Sequence, residues 1–384
     1  MRLWSRQMLG GMVVVCLSGI PSARGQEKPT MAEDVFKNVQ VLKGIPVNEF
    51  MDIMGFFSAS VGLNCVYCHV PESLENWQKF AEDVPLKQTA RKMILMVNAL
   101  NNNNFAGRRV ITCYSCHRGA PRPKVIPSLA DQYTVPAEDP NEIEIVPKAP
   151  PGPPADEILS KYILALGGAE RLSAVTSVAA KGTYEGFETY HQKVPIELFA
   201  KVPAQFTIVV HTQNGVRTTT LNGSAGWIAA PDKPVPLLPM TADELDGARL
   251  DADVFFPAQI QQALSNWRVG FPVTTIEDKE VQIIQGTGAG RSRVKLYFDK
   301  ESGLLVREVR YVETIVGTSP TQVDYSDYRS SPGAGVKLPF RWTVTWTDGQ
   351  ANIELQDVQT NVSIDAAKFA KPAPAVVTPV NAPR

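Results

Sequence analysis

The chain has 384 residues, with 38 Lys and Arg against 39 Asp and Glu, a formal net charge of −1, and 44% hydrophobic residues. That length holds two or three domains. The near balance of charge excludes the whole-chain electrostatic field expected of a nucleic-acid-binding protein, so no nucleic-acid partner is expected.

Residues 1–25 read as a cleaved export signal: a short basic start (Arg2, Arg6), an apolar stretch from Met8 to Ile20, and a small-residue exit at Ala23 and Gly25. The apolar stretch falls short of the roughly 20 residues that span a bilayer. Cys16 lies inside this leader. The expected destination is the periplasm, with membrane association as an alternative.

Between Pro46 and Val61, Phe50, Met54, Phe57 and Val61 recur at helical spacing and predict an amphipathic helix. Eleven residues after Met54 begins Cys65-Val66-Tyr67-Cys68-His69. A second helix is predicted from Pro85 to Leu100, with Leu86, Ala90, Met93, Val97 and Leu100 on one face and the run Asn101 to Asn104 ending it. Twenty residues after Met93 begins Cys113-Tyr114-Ser115-Cys116-His117.

Cys-x-x-Cys-His is the attachment signature of c-type haem: the two thiols join the vinyl groups and the histidine ligates the iron. Every cysteine outside the leader falls in these two motifs. Zinc sites pair two C-x-x-C elements about 15–20 residues apart, whereas 44 residues separate Cys68 from Cys113. Two disulfides would leave the matching histidines unexplained. Two covalently bound haem c groups are therefore expected, on Cys65, Cys68 and His69 and on Cys113, Cys116 and His117.

The sixth iron position suits a thioether, a soft neutral ligand that favours the reduced metal. Met54 and Met93 are the candidate iron ligands, with Met51 and Met96, one turn away, as alternatives. The two remaining histidines, His191 and His211, lie far along the chain and read as structural or exposed. Arg108, Arg109, Arg118, Arg122 and Lys124 crowd the second motif; they suit haem propionates or an acidic redox partner.

From Pro121 to Pro154 lie ten of the thirty prolines, which predicts a semi-rigid linker, residues 125–155, after a haem domain of residues 26–124. Residues 156–372 read as an antiparallel β domain with few helices. A helix from Asp156 to Leu166 is closed by Gly167-Gly168, a Thr241-x-x-Glu244 capping box opens another, and Asn214-Gly215 and Asp348-Gly349 mark tight hairpins. Val294, Leu296 and Phe298 alternate with Arg293, Lys295 and Tyr297, as on a sheet with one buried face. Residues 373–384 read as a disordered tail. No nucleophile elbow or phosphate loop occurs in the β domain.

The stretches Glu49-Phe50-Met51-Asp52-Ile53-Met54, Ala90-Arg91-Lys92-Met93-Ile94-Leu95-Met96 and Val110-Ile111-Thr112-Cys113-Tyr114-Ser115-Cys116-His117-Arg118-Gly119 resemble the cytochrome c subunit of photosynthetic reaction centres. In that family a helix with an axial methionine precedes each haem motif, so the resemblance implies Met54 and Met93 as ligands. Four-haem members are the best known; two motifs correspond to half of such a subunit. Residues Asn101 to Thr112 hold no histidine, where those members supply one to a distant haem. The β domain, through Ala165-Leu166-Gly167-Gly168-Ala169-Glu170 and hairpins such as Tyr297 to Val306, resembles the periplasmic lipoprotein-carrier half-barrel, which implies a lipid or quinone-like ligand or an interaction scaffold.

The expected fold class is thus multidomain α+β: a small helical dihaem cytochrome c domain followed by an antiparallel β half-barrel. The expected function is single-electron transfer between periplasmic or membrane-bound redox proteins, with no catalysis. The alternatives are a dihaem peroxidase-like enzyme with one open haem and a ligand-responsive redox protein.

Overall fold

The computed structural model describes residues 28–129, 139–145, 152–271, 274–331 and 333–373. The leader and nearly all of the tail named above lie outside them.

The amino-terminal region is helical. A short helix α1 (Ala32–Val35) precedes α2 (Val47–Val61), which starts after Pro46 and ends on Gly62 in the left-handed region, φ 64°. One turn, α3 (Cys65–Cys68), carries the first motif. The long helix α4 runs Pro85–Asn104, and α5 (Cys113–His117) carries the second motif. Helix α4 is one turn longer than the sequence pattern predicts. The asparagines continue it: Asn104 returns its amide to the Leu100 carbonyl at 3.0 Å, and Asn101 is buried with partners outside the helix.

The β domain begins with α6 (Ala155–Ala165) and α7 (Ala169–Ser173), joined through Gly167 and Gly168 at φ 127° and 90°. Only glycine adopts that pair of angles without strain. The strands β1 (Ser177–Gly186), β2 (Val194–Lys201), β3 (Gln205–Thr212), β4 (Gly215–Asn222), β5 (Ala225–Ala229) and β6 (Leu237–Pro239) form a meander. Helices α8 (Ala242–Asp253) and α9 (Ile260–Ala263) follow. Then come β7 (Ser265–Val269), β8 (Thr274–Ile276), β9 (Lys279–Thr287), β10 (Arg293–Asp299) and β11 (Leu305–Glu313). The chain closes with β12 (Thr318–Ser330), β13 (Lys337–Trp346) and β14 (Gly349–Thr360).

All pairings in this single sheet are antiparallel, and β1 pairs with β14, so the first and last strands sit side by side at its centre. The edges, β6 and β7, do not pair, which makes the structure an open half-barrel. Ile158, Leu159 and Tyr162 of α6 and Leu245, Ala248 and Leu250 of α8 fill the concave side with inward residues of the strands. The capping box forms as expected: Thr241 Oγ1 accepts from Glu244 N, and Glu244 accepts from Thr241 N at 2.7 Å. Both predicted hairpins occur, but the turns are Gln213-Asn214 and Thr347-Asp348, and each glycine is already the first residue of the returning strand.

The sheet departs from a one-face-buried pattern at β10. Val294, Leu296 and Phe298 enter the main core, yet Lys295 and Tyr297 on the opposite face are also buried. Residues 139–145, inside the proline-rich stretch, explain this by lying across that face. Ile143 and Ile145 pack with Val281, Ile283 and Tyr297. Lys295 Nζ donates to the carbonyls of Asn141 and Ile143 at 2.6 and 2.9 Å, and Tyr311 donates to Asn141 O at 3.0 Å. This segment is docked rather than a free spacer.

Two hairpin tips of the β domain hold α2. Val316, between β11 and β12, joins Ile53, Phe56 and Ile94 in a small separate core. The Thr347-Asp348 turn lies against Gly55, where an added Cβ would come within 2.7 Å of the Thr347 hydroxyl. Asn48 of α2 donates to the capping carboxylate of Glu244 at 2.7 Å.

Candidate functional site

Because α3 and α5 are single helical turns, Cys65 and Cys68, and likewise Cys113 and Cys116, stand three residues apart on one face. Each histidine follows at once. Thr112 caps α5, its hydroxyl accepting from Ser115 N while Ser115 Oγ accepts from Thr112 N at 3.0 Å. Asn101 anchors the strand of chain leading there: it donates to Ile111 O at 2.7 Å and accepts from Val110 N and Ile111 N at 3.1 and 3.0 Å.

The two motifs meet at the end of α2. Gly119, just past the second motif, donates its N–H to Ser60 O at 2.9 Å. A Cβ on Gly62 would lie 2.2 Å from Gly119 O. Gly62 therefore serves twice, as the left-handed end of α2 and as the contact that lets the second motif approach.

The imidazoles are oriented alike. His69 Nδ1 lies 3.2 Å from Phe80 O, and His117 Nδ1 lies 3.0 Å from Ala120 O. A carbonyl can only accept, so Nδ1 carries the proton in both rings and Nε2 is the nitrogen left to ligate. Burial, reinforced by Lys87 and Arg91, lowers the pKa of His69 and so favours the neutral ring. Phe80 also sets its ring against His69, 4.9 Å between centroids, and Trp77 rests on Phe80 at 5.1 Å. Phe80 has no sequence signal: a backbone acceptor eleven residues downstream leaves no residue pattern.

These groups fit a covalently held haem on three grounds. The four thiols are unbridged. Among the described residues no three His, Cys, Asp or Glu side chains converge on a metal site, so the thiols do not assemble a zinc cluster. The face of α4 bearing Leu86, Met93 and Leu100 is uncovered by protein, with Leu86 47% and Met93 37% exposed; Ile94 is the side chain that enters the core. An apolar stripe left bare on a helix beside two haem motifs suits a flat apolar cofactor.

Met54 is half-buried and packs on the small core with Phe57 and Cys113, while Met51 and Met96 are more exposed. Burial raises the thiol pKa of Cys65, Cys68 and Cys113, with Asp348 adding to the effect at Cys65. Arg108, Arg109, Arg118 and Arg122 are exposed around the second motif. His211 pairs with Glu197 at 3.1 Å across β2 and β3, and His191 is exposed in the turn after β1. No helix among the described residues is long and apolar enough to cross a membrane.

A second site lies in the half-barrel. A cavity of about 420 Å³ is bounded by strands of both halves and by α8, with Phe206, Phe255, Trp342 and Trp346 in its walls.

Residues 16–142 match the model of the photosynthetic reaction centre cytochrome c subunit family. Over 97 residues the chain is 40% identical to the photosynthetic reaction center cytochrome c subunit of Thermochromatium tepidum, covering 24% of this chain and 23% of that one. The corresponding subunit of Roseobacter denitrificans is 32% identical over 103 residues, 25% of this chain and 27% of that one. The chain thus spans about a quarter of the length of these curated relatives. Among solved structures, a putative outer membrane lipoprotein-sorting protein domain from Vibrio parahaemolyticus is 9% identical with a TM-score of 0.41, over 56% of this chain and 95% of that one. A LolA superfamily protein from Nitrosomonas europaea is 14% identical with a TM-score of 0.39, over 57% and 99%.

Proposed function

We propose that the chain is an exported dihaem c-type cytochrome that passes electrons singly between periplasmic or membrane-bound redox proteins. The observation that carries the reading is the pair of identical constellations, each with two thiols on one turn and a histidine whose Nδ1 faces a backbone carbonyl. When bound, each haem supplies a single-electron iron couple. The protein's part is to attach it through Cys65 and Cys68 or Cys113 and Cys116, and to aim Nε2 of His69 or His117 at the iron. Met54 and Met93 complete the ligand sets, and their thioethers favour the reduced state. Methionine on both helices would give each iron a second protein ligand, which opposes a peroxidase-like enzyme. The exposed arginines beside the second motif steer an acidic partner, and the β-domain cavity receives an apolar ligand, a lipid or a quinone-like molecule.

The test is an absorption spectrum of the purified protein, oxidised and reduced, with haem quantified per chain and carbon monoxide added. Two covalent low-spin haems and no carbon monoxide complex are expected. A high-spin haem that binds carbon monoxide would overturn the closed-carrier reading.

A further inference from the structure

The loop between β5 and β6 belongs to two surfaces. Lys233 in that loop lines the cavity, and its Nζ lies 5.4 Å from the centre of the Trp77 ring in the haem domain, within cation–π range. Trp77 rests on Phe80, and Phe80 holds the imidazole of His69 by both ring and carbonyl. An unbroken series of contacts therefore joins the cavity wall to the first haem motif.

The cavity's own chemistry selects its ligand. Its volume is that of a small-molecule site, and its walls are mostly apolar, with Phe206, Phe255, Trp342 and Trp346 set among aliphatic side chains. The charges are nearly all committed: Arg217 pairs with Glu188 and Asp232, both at 2.8 Å, and Arg310 holds Asp251 at 3.0 Å. Lys233 stands 3.7 Å from Asp232, beyond hydrogen-bond range, so its ammonium keeps N–H donors for another acceptor. With Arg217, Arg310 and Lys233 already set against Glu188, Asp232, Asp251 and Glu308, a carboxylate ligand would bring an excess buried negative charge. A neutral carbonyl accepts from Lys233 without that cost, and a flat ring stacks on the indoles.

We propose that the cavity binds a neutral, planar, carbonyl-bearing apolar molecule of the quinone class, with Lys233 donating to its carbonyl, and that occupancy is felt at His69 through Trp77 and Phe80. The coupling half rests on the dihaem reading; the binding half does not.

The experiment titrates the full chain, carrying its cofactors, with decylubiquinone by calorimetry, with palmitate as the anionic comparison, and follows the haem midpoint potentials with and without the quinone. Quinone is expected to bind more tightly than palmitate by about tenfold. Lys233→Leu weakens it by a similar factor, and Thr219→Trp, adding bulk from a half-exposed wall position, abolishes it; Val344→Trp carries the same test if that variant does not fold. Quinone shifts one haem potential in the parent protein and neither in Trp77→Leu. Palmitate binding equal to or tighter than quinone, or quinone binding undiminished in the wall variant, overturns the ligand assignment. Potentials unmoved by saturating quinone overturn the coupling. Haem content measured on the same samples separates these failures from a failure of the dihaem reading.

Discussion

Phe80 places its carbonyl oxygen 3.2 Å from Nδ1 of His69 while its ring stands edge-on to the same imidazole at 4.9 Å. One residue thereby sets both the tautomer and the tilt of the His69 ring. In Phe80→Leu the carbonyl remains and the aromatic contact is lost, with Trp77 losing its support. The expected outcome is full haem content with a changed midpoint potential for one haem only, read by spectroelectrochemical titration. A change in both potentials, or in neither, would separate Phe80 from His69.

The axial assignment makes a sharper prediction. Met54→Ala and Met93→Ala each remove half of the methionine-to-iron absorption at the red end of the oxidised spectrum and lower one haem potential, because a neutral thioether favours the reduced iron. Met51→Ala and Met96→Ala leave the band intact. Loss of the band in either of these would move the ligand by one helical turn.

The two Cys-x-x-Cys-His turns and the helices before them were legible because the motif fixes residue types at fixed spacing and the helices carry an apolar period. The bare face of α4 was legible as an apolar stripe, but its meaning was not: Leu86, Met93 and Leu100 look like core positions, whereas Ile94 is the residue that enters the core. The docking of residues 139–145 was hidden by the prolines around them. Ile143 and Ile145 alternate like a strand, and only the buried second face of β10 reveals what they cover. Backbone acceptors such as Phe80 O and Ala120 O are invisible to any reading of side chains.

The contact between the two regions is tested at Gly317. A Cβ there would lie 2.5 Å from the ring of Phe56, which is buried in the small core beneath α2. Gly317→Val forces the hairpin tip away from α2 at a cost of about 1–3 kcal/mol. Urea unfolding followed by haem absorbance and by far-ultraviolet ellipticity is expected to give one coincident transition in the parent and two separated transitions in the variant, with haem content unchanged. Coincident curves in Gly317→Val would mean that the interface adds nothing to stability.

Glu308 gives the pH dependence. It is 1% exposed, its Oε1 has no hydrogen-bond partner, and its nearest cation is Arg310 Nε at 3.5 Å. Burial pushes its pKa from an ordinary 4.5 up to about 7, and Arg310 only partly opposes this. The folded state thus binds the proton more tightly than the unfolded chain does. A raised carboxyl pKa means that this group's contribution is most favourable below about pH 4.5, is lost as the pH rises to about 7, and is constant above. The swing is at most roughly 3 kcal/mol. Glu308→Gln removes the ionisation while keeping the shape, and Arg310 retains Asp251 at 3.0 Å. The variant is expected to be more stable than the parent at pH 8 by about 1–3 kcal/mol and to match it near pH 4.5, measured by urea unfolding across that range. A parent advantage at pH 8 would show instead that the Glu308–Arg310 attraction outweighs the desolvation of the carboxylate.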